Sequence, residues 1–539
     1  MVLASMISSC GGSDQAGDDA ITGRLVSLSD SSATTAFTEL EGSTVSGTIH
    51  VVAEVNGNTT EVHFHLNDGP SPAAVSQSTP FELLLDSTQL PDGVHSLSAR
   101  VPSGRSGNTR ELARASFTIS NHDGTPVPVD PEDPIAPPVD PEDPPELEDP
   151  LTADFFVAPW GSDSAQGTFE NPLLSLKRVA ELAQPGDTIY LRGGIYDVLW
   201  EHAYLAIEMS GSPEAPITIK SYPSETAIFD GHLHQWHPRY ENDGRDITNP
   251  HLLRITGNHL ILEDITFRNG VGLGLQIRGN HNIIRHIASH HHHATGIHGI
   301  GSNNLFEHLL LHNNDSVANG GNSANGMILV NSRDLETRGN VIRHVLAYRN
   351  SDDGIDVWNS YDTLLEHNIS FENGIGSTGN GRGFKLGTEI RLDSGTTARF
   401  NIAFGNFINY DTNGSTGVLL YNNTAWASRS ANYVLTQHRT EACANTAYNN
   451  ISYQPGSYNA ILKSNCTTHE NNTWNLDIDN PQFASLDPTS QSFLSLSTNS
   501  PAIDAGIDMG FKYSGNAPDL GALQAGSRLD MMLPLNLLY

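Results

Sequence analysis

A short apolar run recurs along the chain with a period near 22 residues. Leu260-Ile261-Leu262-Glu263-Asp264-Ile265-Thr266-Phe267 matches Asn282-Ile283-Ile284-Arg285-His286-Ile287-Ala288-Ser289, and this matches Asn304-Leu305-Phe306-Glu307-His308-Leu309-Leu310-Leu311. Leu262, Ile284 and Phe306 fall 22 residues apart at each step. The pattern returns at 341–345, 364–369, 400–402, 422–424 and 449–451, with offsets that vary where loops are inserted. Short β runs closed by Asn/Gly turns at this period fit one coil of a right-handed parallel β-helix. The fixed frame of a leucine-rich repeat is missing, and a propeller blade needs a longer period. A solenoid also explains how a long chain avoids the usual limit on domain size.

The repeat carries polar residues as well. His286, His308, His344 and His367, followed by Asn401, Asn423 and Asn450, read as a single column stacked on neighbouring coils. The run 290–293, four consecutive histidines, reads as a surface loop. Alternate members point to opposite faces of a strand, so four ligands to one metal are not expected.

Upstream the pattern differs. Residues 1–21 are small and polar, with a disordered composition. Residues 22–122 read as all-β: partly alternating runs at 48–55 and 61–66, further strands at 94–101 and 113–119, and turn signals at Asn67-Asp68-Gly69 and Pro91-Asp92-Gly93. Their order resembles bacterial immunoglobulin-like modules, small β-sandwiches that act as spacers or adhesive units. Residues 123–152 repeat Val-Asp-Pro-Glu-Asp-Pro at 129–134 and 139–144. Proline and charge repulsion make this a semi-rigid linker. Residues 153–539 form the β-helix, opened by an amphipathic segment carrying Leu176, Val179, Ala180, Leu182 and Ala183 that would cap its first coil.

The net charge is −33, from 61 acidic and 28 basic residues, which argues against nucleic acid or an anionic membrane surface as partner. An acidic polymer would need a divalent cation to bridge it to such a surface. Of three cysteines, Cys443 and Cys466 lie about one coil apart, so a disulfide and two buried thiols both remain open. Cys10 follows Ile7-Ser8-Ser9 and precedes Gly11-Gly12-Ser13, which resembles a bacterial lipobox, although the upstream part lacks Lys and Arg. Export is expected, secreted or anchored at the outer membrane by a lipid on Cys10. No apolar run approaches the ~18–20 residues of a membrane-spanning helix. A monomer is expected.

The chemistry concentrates in Asn350-Ser351-Asp352-Asp353-Gly354-Ile355-Asp356-Val357-Trp358. Three carboxylates so close together are costly unless a cation holds them, and Asp352, Asp353 and Asp356 supply the hard oxygen ligands of Ca²⁺. One coil and an insertion later comes Gly381-Arg382-Gly383-Phe384-Lys385-Leu386-Gly387. Lys385 can therefore sit beside the carboxylates, where a nearby Ca²⁺ would lower its pKa and let it act as a base. Arg382 and Arg349 are candidates to hold a substrate carboxylate.

This combination resembles polysaccharide lyase family 9, which contains pectate lyases, over residues 155–525. The opening Val157-Ala158-Pro159-Trp160-Gly161-Ser162-Asp163 and the ending at 501–522 are shared with many β-helix proteins. The aspartate cluster and the lysine motif, in this order, are far more specific. The resemblance implies Ca²⁺ bound by Asp352, Asp353 and Asp356, Lys385 as Brønsted base, and β-elimination on an acidic polysaccharide, pectate first among the candidates. Rhamnogalacturonan, alginate and glycosaminoglycans are alternatives, as are a β-helix glycoside hydrolase and a non-catalytic carbohydrate-binding protein. Two departures stand out. Asn325, in Ser323-Ala324-Asn325-Gly326, stands where the family usually has an aspartate ligand and would offer only a carbonyl oxygen. Asp411 and Asn413 stand where the family often has a Phe-Asp-Gln-Asn-like segment, and are expected to bind sugar or orient Lys385.

Overall fold

The computed structural model describes strands between residues 22 and 119, and in the larger part residues 153–197, 204–231, 251–316, 320–388, 394–436, 444–462, 467–527 and 529. The segment 1–21, the linker 123–152, Cys10, Cys443 and Cys466 lie outside the described residues. The chain divides into two compact units between Pro145 and Glu146. In the first, a four-stranded antiparallel sheet and a five-stranded, mainly antiparallel one carry a core containing Val51, Val62, Phe64, Leu97 and Phe117.

The second unit is a solenoid of three parallel sheets with 12, 10 and 10 strands. Each full coil adds one strand to each sheet; Leu260–Glu263, Ile265–Arg268 and Leu273–Arg278 make one. The 22-residue period becomes register: Leu262 pairs with Ile284, Ile284 with Phe306, Phe306 with Ile342 and Ile342 with Leu365. All five are completely buried. A one-residue slip would turn the whole row outward, and each such side chain contributes roughly 1.5–3 kcal/mol by leaving water. The Leu176–Ala180 helix, capped by the Ser175 hydroxyl on the Arg178 amide at 3.1 Å, packs Leu176 and Val179 into the core, with Ala180, Leu182 and Ala183 against it. Among the described residues no helix is long and apolar enough to cross a membrane.

The polar column proves to be two structures. His286, His308, His344 and His367 stack with Phe400, with ring centroids 4.8–5.5 Å apart. Each occupies a corner with positive φ, and Asn422 and Asn449 continue that position. Asn401, Asn423 and Asn450 belong one residue further on, in a buried ladder that runs Asn368, Asn401, Asn423, Asn450, Asn472. Its amide-to-amide bonds measure 2.8–3.0 Å. Reading the column at one phase missed this offset. A second ladder, Asn314, Asn350, Asn373, Asn406, repeats the device at another corner with bonds of 2.9–3.0 Å. The ladders satisfy amides and carbonyls where the chain turns between sheets.

The histidine run is a surface loop only in part: His291 is exposed just past a strand, while its neighbours are partly or fully buried. His290 closes a strand and stacks on His312 at 4.6 Å. His292 is completely buried, accepts the Gly270 amide at 2.9 Å and meets the Ser289 hydroxyl at 3.0 Å. Burial holds it well below the ordinary histidine range, at about 3, so it is a neutral packing residue.

Candidate active site

The aspartate and lysine motifs lie on adjacent strands of the third sheet. In Ile355–Asn359, Ile355 points inward and Asp356 outward. In Arg382–Lys385, Phe384 points inward and Lys385 outward. Register pairs Ile355 with Phe384 and Asp356 with Lys385. The next strand pairs Tyr410 with Phe384 and Asp411 with Lys385. One outward row therefore reads Asp356, Lys385, Asp411, above an aromatic stack of Phe384, Tyr410 and Tyr433 with centroids 4.9–5.0 Å apart.

The glycines of both motifs have a packing cause. A Cβ on Gly354 would lie 2.0 Å from the Ser370 hydroxyl, and one on Gly383 2.6 Å from the Asn406 amide. The ladder at 350, 373 and 406 thus comes up under the strands that carry the charges.

Lys385 Nζ donates to Asp356 Oδ2 at 2.9 Å and lies 3.3 Å from Asp353 Oδ2. Asp353 and Asp356 are buried, at 0% and 2% exposure. Burial pushes Asp353 up to about 7, against the pull of Lys385, and raises Asp356 in the same way. Burial alone would lower Lys385, but Asp356 and Asp353 outweigh it and hold the ammonium above its usual range.

Arg382 forms a second tier. Its Nε donates to Asp411 Oδ2 at 2.5 Å, its Nη2 to Asn413 Oδ1 at 3.5 Å, and its amide to Asp353 Oδ1 at 2.8 Å. Asn413 is held in turn by its amide on Asp411 Oδ1 at 2.7 Å and by Nδ2 on the Gly387 carbonyl at 3.0 Å.

Not every expected residue converges. Asp352 turns away from the pair: its oxygens accept the Ser323 amide at 2.9 Å and the Asn380 amide at 2.6 Å, which ties two loops together. Asn325 reaches the cluster by accepting the Asp353 amide on Oδ1 at 3.0 Å, so it positions the turn. Arg349 does not join the site. It sits at a corner with positive φ and bonds Glu372 at 2.8 Å, because the residue before a ladder asparagine faces a different side of the coil.

Three polar atoms at the site are buried without a hydrogen-bond partner: Asp353 Oδ2, Asp356 Oδ1 and Arg382 Nη1. Such orphans are costly unless something binds there. The two carboxylate oxygens suit a hard cation, and the arginine nitrogen suits an anion. A separate group, Glu263, Asp264 and His286, already brings its oxygens and nitrogen within 4.8 Å of one another, but Arg285 neutralises Glu263 at 2.9 Å and Asp264 and His286 are exposed.

Family and relatives together make this chain a polysaccharide lyase. The chain belongs to the family described as "Pel9A-like, right handed beta helix region", whose model matches residues 155–472. It is 28% identical over 417 residues to pectate lyase L of Dickeya chrysanthemi, covering 69% of this chain and 90% of the relative. It is 27% identical to pectate lyase PEL9 of Emericella nidulans, covering 62% and 87%. The crystal structure of pectate lyase Pel9A superposes with a TM-score of 0.59 at 26% identity, over 69% of this chain and 96% of that one. A rhamnogalacturonan lyase structure shares the fold, with a TM-score of 0.54 at 22% identity.

Proposed function

We propose that the protein cleaves a uronate-containing polysaccharide by calcium-dependent β-elimination, with Lys385 as base and polygalacturonate as the favoured polymer. The observation that carries this reading is Lys385 itself. It is a nearly buried amine on the outer face of a parallel sheet, between two carboxylates that each keep an oxygen without a hydrogen bond, that of Asp353 facing the ammonium at 3.3 Å. A glycoside hydrolase would leave it without a task.

The C5 proton of a uronate is weakly acidic because it lies α to a carboxylate. Calcium among Asp353 and Asp356, with Asp352 and Asn325 on the adjoining turns, would supply positive charge where negative charge develops and would draw the aspartates off Lys385. Lys385, neutral, takes the C5 proton at Nζ. The C–H electron pair forms the C4–C5 double bond, the C4–O4 bond breaks with its pair on O4, and O4 takes a proton from water, giving a 4,5-unsaturated end and a free hydroxyl on the departing chain. Arg382, braced by Asp411 and Asn413, offers Nη1 to a sugar carboxylate. The similarity to two pectate lyases over most of their length supports pectate over the other uronans. The reading also supports action outside the cytoplasm, with Cys10 as a lipid anchor, residues 22–122 as an Ig-like spacer, and 123–152 as its linker to the lyase unit.

The test is a panel of polygalacturonate, rhamnogalacturonan, alginate and glycosaminoglycans, followed by the ultraviolet absorbance of the new conjugated double bond. Activity should vanish with a chelator and return with calcium; full activity after exhaustive chelation removes the metal role. Lys385→Ala should lower turnover roughly 10²–10⁴-fold while unfolding stays cooperative. Near-normal turnover in that variant refutes the base.

A further inference from the structure

The outward row that holds Asp356 and Lys385 continues toward the N-terminal coils. Register carries it from Asp356 to Ile328, His298, Gln276 and Arg254. Arg254 is five strands from Lys385. At 4.7–4.9 Å per strand this is about 24 Å along the helix.

Arg254 differs from most arginines of this acidic solenoid. Arg192, Arg268, Arg278, Arg285, Arg343 and Arg399, among others, each lie against a carboxylate. Arg254 instead bonds the Gln276 side-chain oxygen through Nε, which leaves both Nη groups unbonded among the described residues. Burial and the charge of another cation, Arg278, both hold its pKa below the ordinary arginine range. Among the described residues no acid lies against this half-buried guanidinium, in a chain of net charge −33 where carboxylates are in surplus.

The neighbours are polarised in one direction. Gln276 is buried and accepts from Arg254 on Oε1, so its Nε2 is the donor in the 2.8 Å bond to His298 Nδ1. Nδ1 must then accept, and the imidazole carries its proton on Nε2. Burial and Arg254 keep His298 neutral, at about 4. Arg254 and His298 thus both present hydrogen-bond donors, and Gln276 holds them in place.

We propose that Arg254 and His298, braced by Gln276, form a distal subsite that binds a carboxylate of the polysaccharide several sugars away from the cleaved bond. This rests on the lyase reading for the polymer class. It makes the enzyme one that grips long chains, because a short oligosaccharide at Lys385 does not reach Arg254.

The experiment compares wild type, Arg254→Ala, Arg254→Lys and the exposed control Arg338→Ala on long polygalacturonate and on trigalacturonate. A charge-assisted contact is worth about tenfold in binding. Arg254→Ala should therefore raise KM for the polymer about tenfold, with the loss in KM rather than kcat, and erase that much of the wild-type preference for polymer over trimer. Arg254→Lys should recover part of it, and Arg338→Ala should match wild type. An unchanged polymer KM in Arg254→Ala, or an equal loss on trimer and polymer, overturns the subsite. Gel retardation on immobilised polygalacturonate needs no turnover. If wild type produces no double bond from any uronan, the lyase reading fails, while weaker retardation of Arg254→Ala than wild type still supports the site and equal retardation overturns it.

Discussion

Asp353→Asn should make the calcium-free protein more stable and the enzyme inactive. Asp353 is completely buried, and burial pushes its carboxyl from the ordinary 3.8 up to about 7. Its folded value lies above its unfolded value, so its contribution is fully favourable below about pH 4 and is lost as pH rises through about 7. Roughly three pH units at 1.36 kcal/mol each give an upper bound of about 4 kcal/mol near pH 8. Asparagine keeps an oxygen for the Arg382 amide, now 2.8 Å from Oδ1, and removes the charge. Denaturant titrations in chelator near pH 8 should show the variant ahead by about 2–4 kcal/mol, with the gap closing near pH 4. Excess calcium should then stabilise the wild type by mass action and leave Asp353→Asn nearly unmoved. A wild type more stable than the variant near pH 8 without calcium would refute the view that burial of the Asp353 charge outweighs its pairing with Lys385.

The asparagine ladder predicts the opposite pattern. Asn401→Ala strips partners from the Leu365 carbonyl, the Asn368 amide and Asn423, so stability should fall by about 2–5 kcal/mol in the same titration, while the calcium response of the surviving folded enzyme stays intact. Exhaustive chelation should abolish double-bond formation in both wild type and Asn401→Ala.

The solenoid was legible because its period is an average over many coils: a single misplaced strand does not hide the recurrence of Leu262, Ile284 and Phe306. Phase within a coil was harder to read. His367 and Asn368 are adjacent in sequence but serve different structures, one stacking outside a corner and the other bonding within it, and the two cannot be told apart until the corner's positive φ is known. The same cause misplaced Arg349, which sits one residue before the ladder asparagine Asn350. The histidine run was misjudged at His290 and His292 because consecutive polar residues look solvated, whereas stacking on His312 and capping of the Gly270 amide need partners a full coil away. The charged motif could be read because glycine spacing and strand register both act locally. Asp352 and Asp353 share a composition signal but not a direction, and only the loops at 323 and 380 decide where Asp352 points. Arg254 gave no local signal, since what marks it is a missing acid.

The charge balance of the site bears on the role of Asn325. Asp352, Asp353, Asp356 and Asp411 bring four carboxylates; Lys385 and Arg382 bring two cations. Two negative charges remain if all the aspartates ionise, and this surplus is the charge of one divalent ion. An aspartate at 325, as the family resemblance leads one to expect, would make it three. With Asn325 the centre would carry one negative charge fewer around a bound divalent ion than with an aspartate, and so would repel an incoming uronate less. On this argument the substitution gives up part of the affinity for the ion and eases the approach of a polyanion to a protein of net charge −33.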